Sequence, residues 1–183
     1  MKKSIVKRIA IGMILILLPV FLSGCHGRLE SREAVSTEST AIPDAFDDNE
    51  QIELVFWAKN DTNKVQTAVY TKAIEDFEKM YPNVKINLRL YADYSRIFAD
   101  VITNIATKTT PNICITYPDH IATYMTGQNV VLPLDELMQD SRFGLGGSEL
   151  RFDSPKQEEI VPEFLQECVL DGRYYAMPYM RST

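Results

Sequence analysis

Ile52-Glu53-Leu54-Val55-Phe56-Trp57 is a short apolar run of strand-forming residues, and its place at the head of an alternating series of elements decides the fold. Lys59 to Lys64 is polar and carries Asn60, Asp61 and Asn63, which suit a loop and a helix start. Tyr70, Ala73, Ile74, Phe77, Met80 and Tyr81 then recur at spacings of three and one, which predicts a helix with one apolar face. Pro82-Asn83 stops it. Next, Val84, Ile86, Leu88 and Leu90 alternate with Lys85, Asn87, Arg89 and Tyr91, as in a strand near a sheet edge. Asp93 is placed to cap a second helix, whose stripe is Tyr94, Ile97, Phe98, Val101, Ile102 and Ile105. Pro111-Asn112 breaks that pattern. Ile113-Cys114-Ile115-Thr116-Tyr117 is apolar on both faces, as expected of a central strand. Pro118-Asp119 opens a short helix that Gly127 can close.

The order β-α-β-α-β-α with short connections predicts an α/β domain with right-handed crossovers and a mainly parallel sheet flanked by helices. Ligands in such sheets bind beyond the carboxyl ends of the strands. Three loops matter most on that ground: Lys59–Lys64, Ala92–Tyr94 and Pro118–His120. Further along, Leu132-Pro133-Leu134-Asp135 leads into a short helix with Asp135 as a candidate cap. Residues 141–155, with Gly144, Gly146, Gly147 and Pro155, read as a loop. Ile160 to Leu170 reads as a helix with Pro162 near its first turn. Asp171-Gly172 is a tight-turn signal, and Arg173 to Tyr179 reads as a hairpin or strand.

The amino-terminal part has a different character. Residues 1–24 contain no acid: Lys2, Lys3, Lys7 and Arg8 form a basic region, and Ile9 to Leu22 is almost purely apolar. That core is short for a membrane span and suits a signal peptide. Leu22-Ser23-Gly24-Cys25 comes next and looks like a lipobox, with Cys25 as the lipidated residue. Residues 26–50 hold 12 Ser, Thr, Asp or Glu and a single aromatic, Phe46, so they read with Cys25 as a flexible tether, residues 25–50. The body is residues 51–183. The whole chain of 183 residues carries a net charge of −6, and removing the four cations of the leader takes this to −10. That balance argues against a nucleic-acid partner, which needs a basic face to displace counterions. It also leaves membrane attachment to lipid. Cys114 and Cys168 read as small buried apolar groups, with a disulfide between them open.

The succession of motifs resembles one family. The lipobox is succeeded by Leu54-Val55-Phe56-Trp57, Ile74-Glu75-Asp76-Phe77, Tyr81-Pro82-Asn83-Val84-Lys85, Pro111-Asn112-Ile113 and Leu132-Pro133-Leu134-Asp135. The last is Asp171-Gly172-Arg173-Tyr174-Tyr175-Ala176-Met177-Pro178-Tyr179. This order is similar to that of the extracellular solute-binding proteins (family 1, maltose-binding-protein-like) of carbohydrate ABC importers, over about residues 51–183. The resemblance implies a type II periplasmic-binding-protein-like fold, of which this chain holds the first lobe, incomplete, with the second lobe absent. It further implies a carbohydrate ligand, ABC permease subunits as partners, a lipid anchor (palmitate on Cys25) at the extracytoplasmic face of the cell membrane, and no cofactor.

By the same resemblance, ligand contacts fall on the strand-end loops. Asp61 and Asp119 are placed to accept hydrogen bonds from sugar hydroxyls, or equally to cap helices. Tyr94, Tyr117 and Tyr179 can offer ring faces to a pyranose, or pack. Arg181 and Ser182 match the polar end of the family's Pro-aromatic segment, Arg181 as a fork onto hydroxyls. Trp57, at a strand end, reads as core. His26 and His120 stand without metal-ligand spacing, and no metal is expected. Asp47-Asp48 and Glu158-Glu159 read as solvated faces. No nucleophile elbow, phosphate loop or zinc-protease motif is present, so the expectation is a binding protein and not an enzyme. A surface glycan hydrolase and a fragment without activity are the alternative readings.

Overall fold

The computed structural model describes residues 42–60, 64–127 and 129–180. Residues 1–41 lie outside that set, and with them the leader, Cys25 and most of the tether. Asp61, Arg181 and Ser182 also lie outside it. Among the described residues no helix is long and apolar enough to cross a membrane.

Strand β1 (Ile52–Lys59) leads to α1 (Lys64–Met80), β2 (Val84–Tyr91), α2 (Tyr94–Thr107), β3 (Ile113–Cys114) and α3 (Pro118–Tyr124). The three strands form a parallel sheet in the order β2-β1-β3. β1 and β2 pair over their full length, from Ile52 opposite Val84 to Lys59 opposite Tyr91. In this register the even-numbered residues of both strands share one face and the odd-numbered residues the other. Phe56 meets Tyr70 of α1 edge-on, with ring centroids 5.9 Å apart. Trp57, one residue on, points to the opposite face and packs in a core with Tyr91, Ile97, Val101 and Tyr124. The two helices therefore cover opposite faces of β1, as right-handed crossovers running in opposite directions require.

The edge position expected for β2 is what the structure shows. The central position expected for β3 is not. Among the described residues, β1 is the middle strand, and β3 is a two-residue edge strand with Ile113 52% exposed. The run Ile113–Tyr117 is apolar for mixed reasons: Cys114 packs against the core, whereas Tyr117 stacks on Tyr94 beyond the strand end. Asn112 lengthens the short pairing. Its side-chain Oδ1 accepts from Val55 N at 2.9 Å, and its own N–H donates to Val55 O at 3.1 Å. A residue read only as a helix breaker thus completes the unpaired edge of β1.

Asp93 caps α2 as expected, accepting from Arg96 N at 2.7 Å. The short helix α3 ends at Tyr124 with Met125 as its C-cap, not at Gly127. Gly127 is needed for space, since a Cβ there would lie 2.5 Å from Val130 Cγ2 and 2.6 Å from Ile105 Cγ2.

Beyond the sheet lie α4 (Asp135–Gln139), a 3₁₀ turn (Gln157–Glu159), α5 (Pro162–Gln166) and a hairpin of β4 (Val169–Leu170) and β5 (Arg173–Tyr174). The helix expected over Ile160 to Leu170 is therefore cut short, and buried Cys168 falls just after it. Pairing with β5 claims Val169 and Leu170 through a turn in which Asp171 (φ 49) and Gly172 (φ 79) are both left-handed. Asp135 does not cap α4. The N-cap is Leu134, and the Asp135 carboxylate instead accepts from Arg173 Nε and Tyr174 N, both at 3.3 Å. Leu134 N donates to Tyr174 O at 2.8 Å. Two motifs that stand 38 residues apart in sequence are one physical unit.

The last residues of the expected tether pack on the body. Phe46 lies against Tyr81 and, edge-on, against Phe143. Asp48 pairs with Arg151, and Asn83 Nδ2 donates to Asp47 O and Glu50 O. The Asp47 carboxylate is engaged too, accepting from Asn49 N at 2.8 Å, and Glu159 accepts from Lys156 N at 2.7 Å. The two acid pairs read as solvated faces are in part local hydrogen-bond acceptors.

Ile97 is 0% exposed at the centre of the α2–sheet contact. Ile97→Ala is expected to destabilise the chain by about 2–5 kcal/mol, as for other large-to-small core changes. Equilibrium urea unfolding measures it, with Ala106→Ser on the exposed face of α2 expected to stay within about 0.5 kcal/mol of wild type.

Candidate functional site

In chain order β1 is followed by α1 on one face of the sheet, and β3 by α3 on the α2 face. In sheets of this kind the ends of strands whose connections leave for opposite faces are where ligands bind. The residues there come from the ends of all three strands. Tyr94 begins α2, Tyr117 holds the N-cap position of α3, and Lys59 ends β1.

These three converge. The Tyr94 and Tyr117 rings lie 4.6 Å apart at 43°, and Lys59 Nζ sits 5.5 Å from the Tyr94 centroid. Tyr117 is 49% exposed, whereas Tyr94 is half-buried against the core, so the ring open to solvent is that of Tyr117, backed by Tyr94. Behind it, His120 lies edge-on to Tyr117 at 5.5 Å and packs on Phe98 at 4.3 Å. Thr116 Oγ1 stands 3.3 Å from His120 Nδ1 and 3.1 Å from the Tyr124 hydroxyl. His120 is thus a packed ring that fixes the plate. Among the described residues no group of three or more His, Cys, Asp or Glu is arranged to hold a metal.

Asp119 lies exposed in the first turn of α3. It does not act as the side-chain cap, because Tyr117 occupies the N-cap position and no side chain caps there. Tyr179 stands elsewhere, on the α1 face. Its hydroxyl donates to the Tyr70 hydroxyl at 3.0 Å and accepts from Gln66 Nε2 at 3.3 Å. The ring remains 53% exposed. Of the expected residues, the structure brings together Tyr94 and Tyr117, with Asp119 two residues beyond the plate. Trp57 is core, at 4% exposure, with the Arg89 guanidinium 5.0 Å over its ring.

Two features are not foreseen by the sequence reading. The contact of Lys59 with Tyr94 is one; the sequence reading carries Lys59 only as the first residue of the loop Lys59–Lys64. The other is an open groove of about 480 Å³ along α1, lined by Asn60, Thr67, Ala68, Thr71, Lys72 and Glu75. Thr67 Oγ1 donates to Asn60 Oδ1 at 3.2 Å across it. The polar face of α1 reads only as solvent-exposed, and nothing in its spacing marks a concavity.

No protein-family profile matches the chain. Nor does any curated protein match its sequence. Solved structures do. An extracellular solute-binding protein of family 1 from Alicyclobacillus acidocaldarius is 22% identical, with a TM-score of 0.51 over 68% of this chain and 27% of that one. A de novo designed cysteine esterase, ECH19, is 18% identical with a TM-score of 0.50, over 68% of this chain and 26% of the other. The maltose/maltodextrin-binding domain MalE from Bdellovibrio bacteriovorus, bound to maltotriose, is 20% identical with a TM-score of 0.49, over 67% and 27%. The chain thus has a mixed α/β fold, a parallel sheet flanked by helices, shared with part of a family 1 solute-binding protein. It spans 27% of the length of that protein.

Burial pushes the Cys114 thiol up to about 11 and the Tyr124 phenol up to about 12. Burial also raises the Cys168 thiol, and both cysteines are free. A raised pKa favours the protonated form in the fold. The stabilisation is therefore complete below the unfolded pKa and is lost as pH rises through the folded one. Stability is expected to hold at pH 7–8.5 and to fall from about pH 9 to 12. Urea midpoints against pH measure this. Alkylation by iodoacetamide at pH 8 is expected to be slow at both cysteines in the fold and fast in urea.

Proposed function

We propose that this chain belongs to a lipid-anchored extracytoplasmic receptor that captures a sugar or oligosaccharide for an ABC importer. The observation that carries the reading is the Tyr94–Tyr117 plate at the carboxyl ends of the strands. A pyranose has one apolar face and a rim of hydroxyls. An exposed aromatic surface buries the face, and neighbouring polar groups accept from the rim. Asp119, uncommitted to any described residue, is suited to accept from two adjacent hydroxyls. Asp61, Arg181 and Ser182 complete the proposed ligand set, with Tyr179 at its α1 side.

The fold shared with a solute-binding protein of family 1 supports a binding role and agrees with the motif order of the sequence. Anchoring rests on Leu22-Ser23-Gly24-Cys25. Lipid on Cys25 would hold the acidic body at the membrane, with residues 26–43 as the span between them. Capture would proceed by closure over the ligand, driven by contacts made only in the closed form, and delivery would be to the permease subunits. On this reading the protein binds its solute unchanged and needs no cofactor. The designed esterase shows that a related scaffold accepts engineered catalysis, which is not evidence of turnover here.

A bound sugar raises the melting temperature by mass action. Screening the chain against a panel of oligosaccharides is expected to give at least one saturable shift. Tyr117→Ala is expected to weaken that ligand about tenfold, in line with about 1–2 kcal/mol for a lost aromatic contact. The absence of any shift across the panel overturns the carbohydrate reading. Separately, labelled palmitate is expected to enter the wild-type chain in cells and not Cys25→Ser, which tests the anchor.

A further inference from the structure

Strand β2 lies at an edge of the sheet, and an open edge invites a further strand. Its register with β1 shows which of its backbone groups face outward. Ile52 N donates to Asn83 O and Asn60 N to Tyr91 O, so the odd-numbered residues of β2 turn their N–H and C=O toward β1. The even-numbered residues Val84, Ile86, Leu88 and Leu90 turn theirs to the open edge.

The first half of that edge is closed by the end of α1. Val84 N donates to Tyr81 O at 2.9 Å. Ile86 N donates to Glu78 Oε1 at 2.8 Å, and Glu78 Oε2 accepts from Lys85 Nζ at 2.7 Å. The Ile86 amide and then the Lys85 ammonium hold the Glu78 carboxyl below its usual range, so it remains an ionised acceptor at neutral pH. The Glu78 side chain is 22% exposed, less open to competing water and salt than the Lys72–Asp76 pair on the same helix. Leu88 and Leu90 have no such cover. Among the described residues no side chain or loop carbonyl accepts from their N–H groups, and Leu90 is 37% exposed.

This edge is complementary to itself. Antiparallel pairing about a two-fold axis at Leu88 sets Leu88 opposite Leu88 of a second copy, and Ile86 opposite Leu90 of that copy. Each such pair exchanges its N–H and C=O groups, so Ile86 N must donate to the incoming Leu90 carbonyl. Glu78 already holds that donor, and its Oε1 stands where the carbonyl oxygen would come.

We infer that Glu78 guards the edge of β2: its carboxylate takes the place of the carbonyl that a second copy of this chain would bring to Ile86, and so keeps β2 from pairing with itself. The inference stands apart from the carbohydrate reading above.

Amide hydrogen exchange and sedimentation velocity on the full chain in mild detergent test it. In the wild type, Ile86 N–H is expected to exchange more slowly than Leu88 and Leu90 N–H, and the chain to sediment as a monomer. Glu78→Ala and Glu78→Met both remove the acceptor, the second while keeping the bulk of the side chain. Both are expected to strengthen self-association about tenfold or more, with exchange at Leu88 and Leu90 slowed where the dimer forms. Glu78→Gln keeps an oxygen for Ile86 N without the charge and is expected to stay monomeric. Thermal melts check that each variant is folded. The inference is wrong if Ile86 exchanges as fast as Leu88 and Leu90 in the wild type, or if the wild type itself pairs through Leu88 and Leu90. It is equally wrong if a folded Glu78→Ala or Glu78→Met chain associates no more than the wild type.

Discussion

Where β1 is buried, at Trp57 and Ala58, and along the half-buried residues beside them, its backbone N–H and C=O need partners within the protein. β2 supplies one side over eight matched pairs. The other side receives two residues of β3, extended by Asn112 on Val55 and by Ile115 N, which donates to Trp57 O at 2.9 Å. An orphaned amide at this depth would cost about 1–3 kcal/mol. Much of the local sequence serves that requirement. Pro111 ends the approach, Asn112 bonds through both backbone and side chain, and the chain then turns off the sheet at Tyr117.

The same constraint orders the strand ends. Satisfying β1 on both edges puts the chain's next two strands on opposite sides of it, and right-handed crossovers then send α1 and α2 to opposite faces. The strand ends between them are where ligands bind in sheets of this kind. Side chains decide their chemistry. Tyr94, Tyr117 and Lys59 each occupy the first or last position of an element, where a side chain can project past the sheet without leaving a hole in the core. The layer behind them, Phe98, His120, Thr116 and Tyr124, is packed and hydrogen-bonded, so the plate rests on a fixed support.

The body is also tied at its other end. Tyr81 receives Phe46, stacks on Phe77 at 4.8 Å, lies under the Arg151 guanidinium and accepts from Arg151 N at 2.9 Å. One aromatic residue at the end of α1 thereby joins the incoming segment, the helix and the long loop. The exposed ion pairs around it add little singly. Their number and the ring contacts give the segment 44–50 a defined place, although its composition reads as that of a flexible tether.

The sequence by itself determined the alternation of strands and helices, the edge character of β2, the cap at Asp93 and the tight turn at Asp171-Gly172. Each is a local matter of period, cap or permitted φ, legible within a few residues. It also carried the strand-end loops as the place to look, because topology derives from element order. Only the tertiary structure decided which strand is central, since an apolar run looks the same whether both its faces are buried or its residues divide between core and strand end. It decided as well that Asp135 reaches across to the hairpin and that Val169-Leu170 is strand. For Asp135, bonds to Arg173 and Tyr174 far along the chain outweigh the local preference to cap, and for Val169-Leu170, pairing with Arg173-Tyr174 across the turn outweighs the local preference for helix. The convergence of Lys59, Tyr94 and Tyr117 belongs to the same class. It depends on distances between the ends of three strands, which no spacing in the sequence encodes.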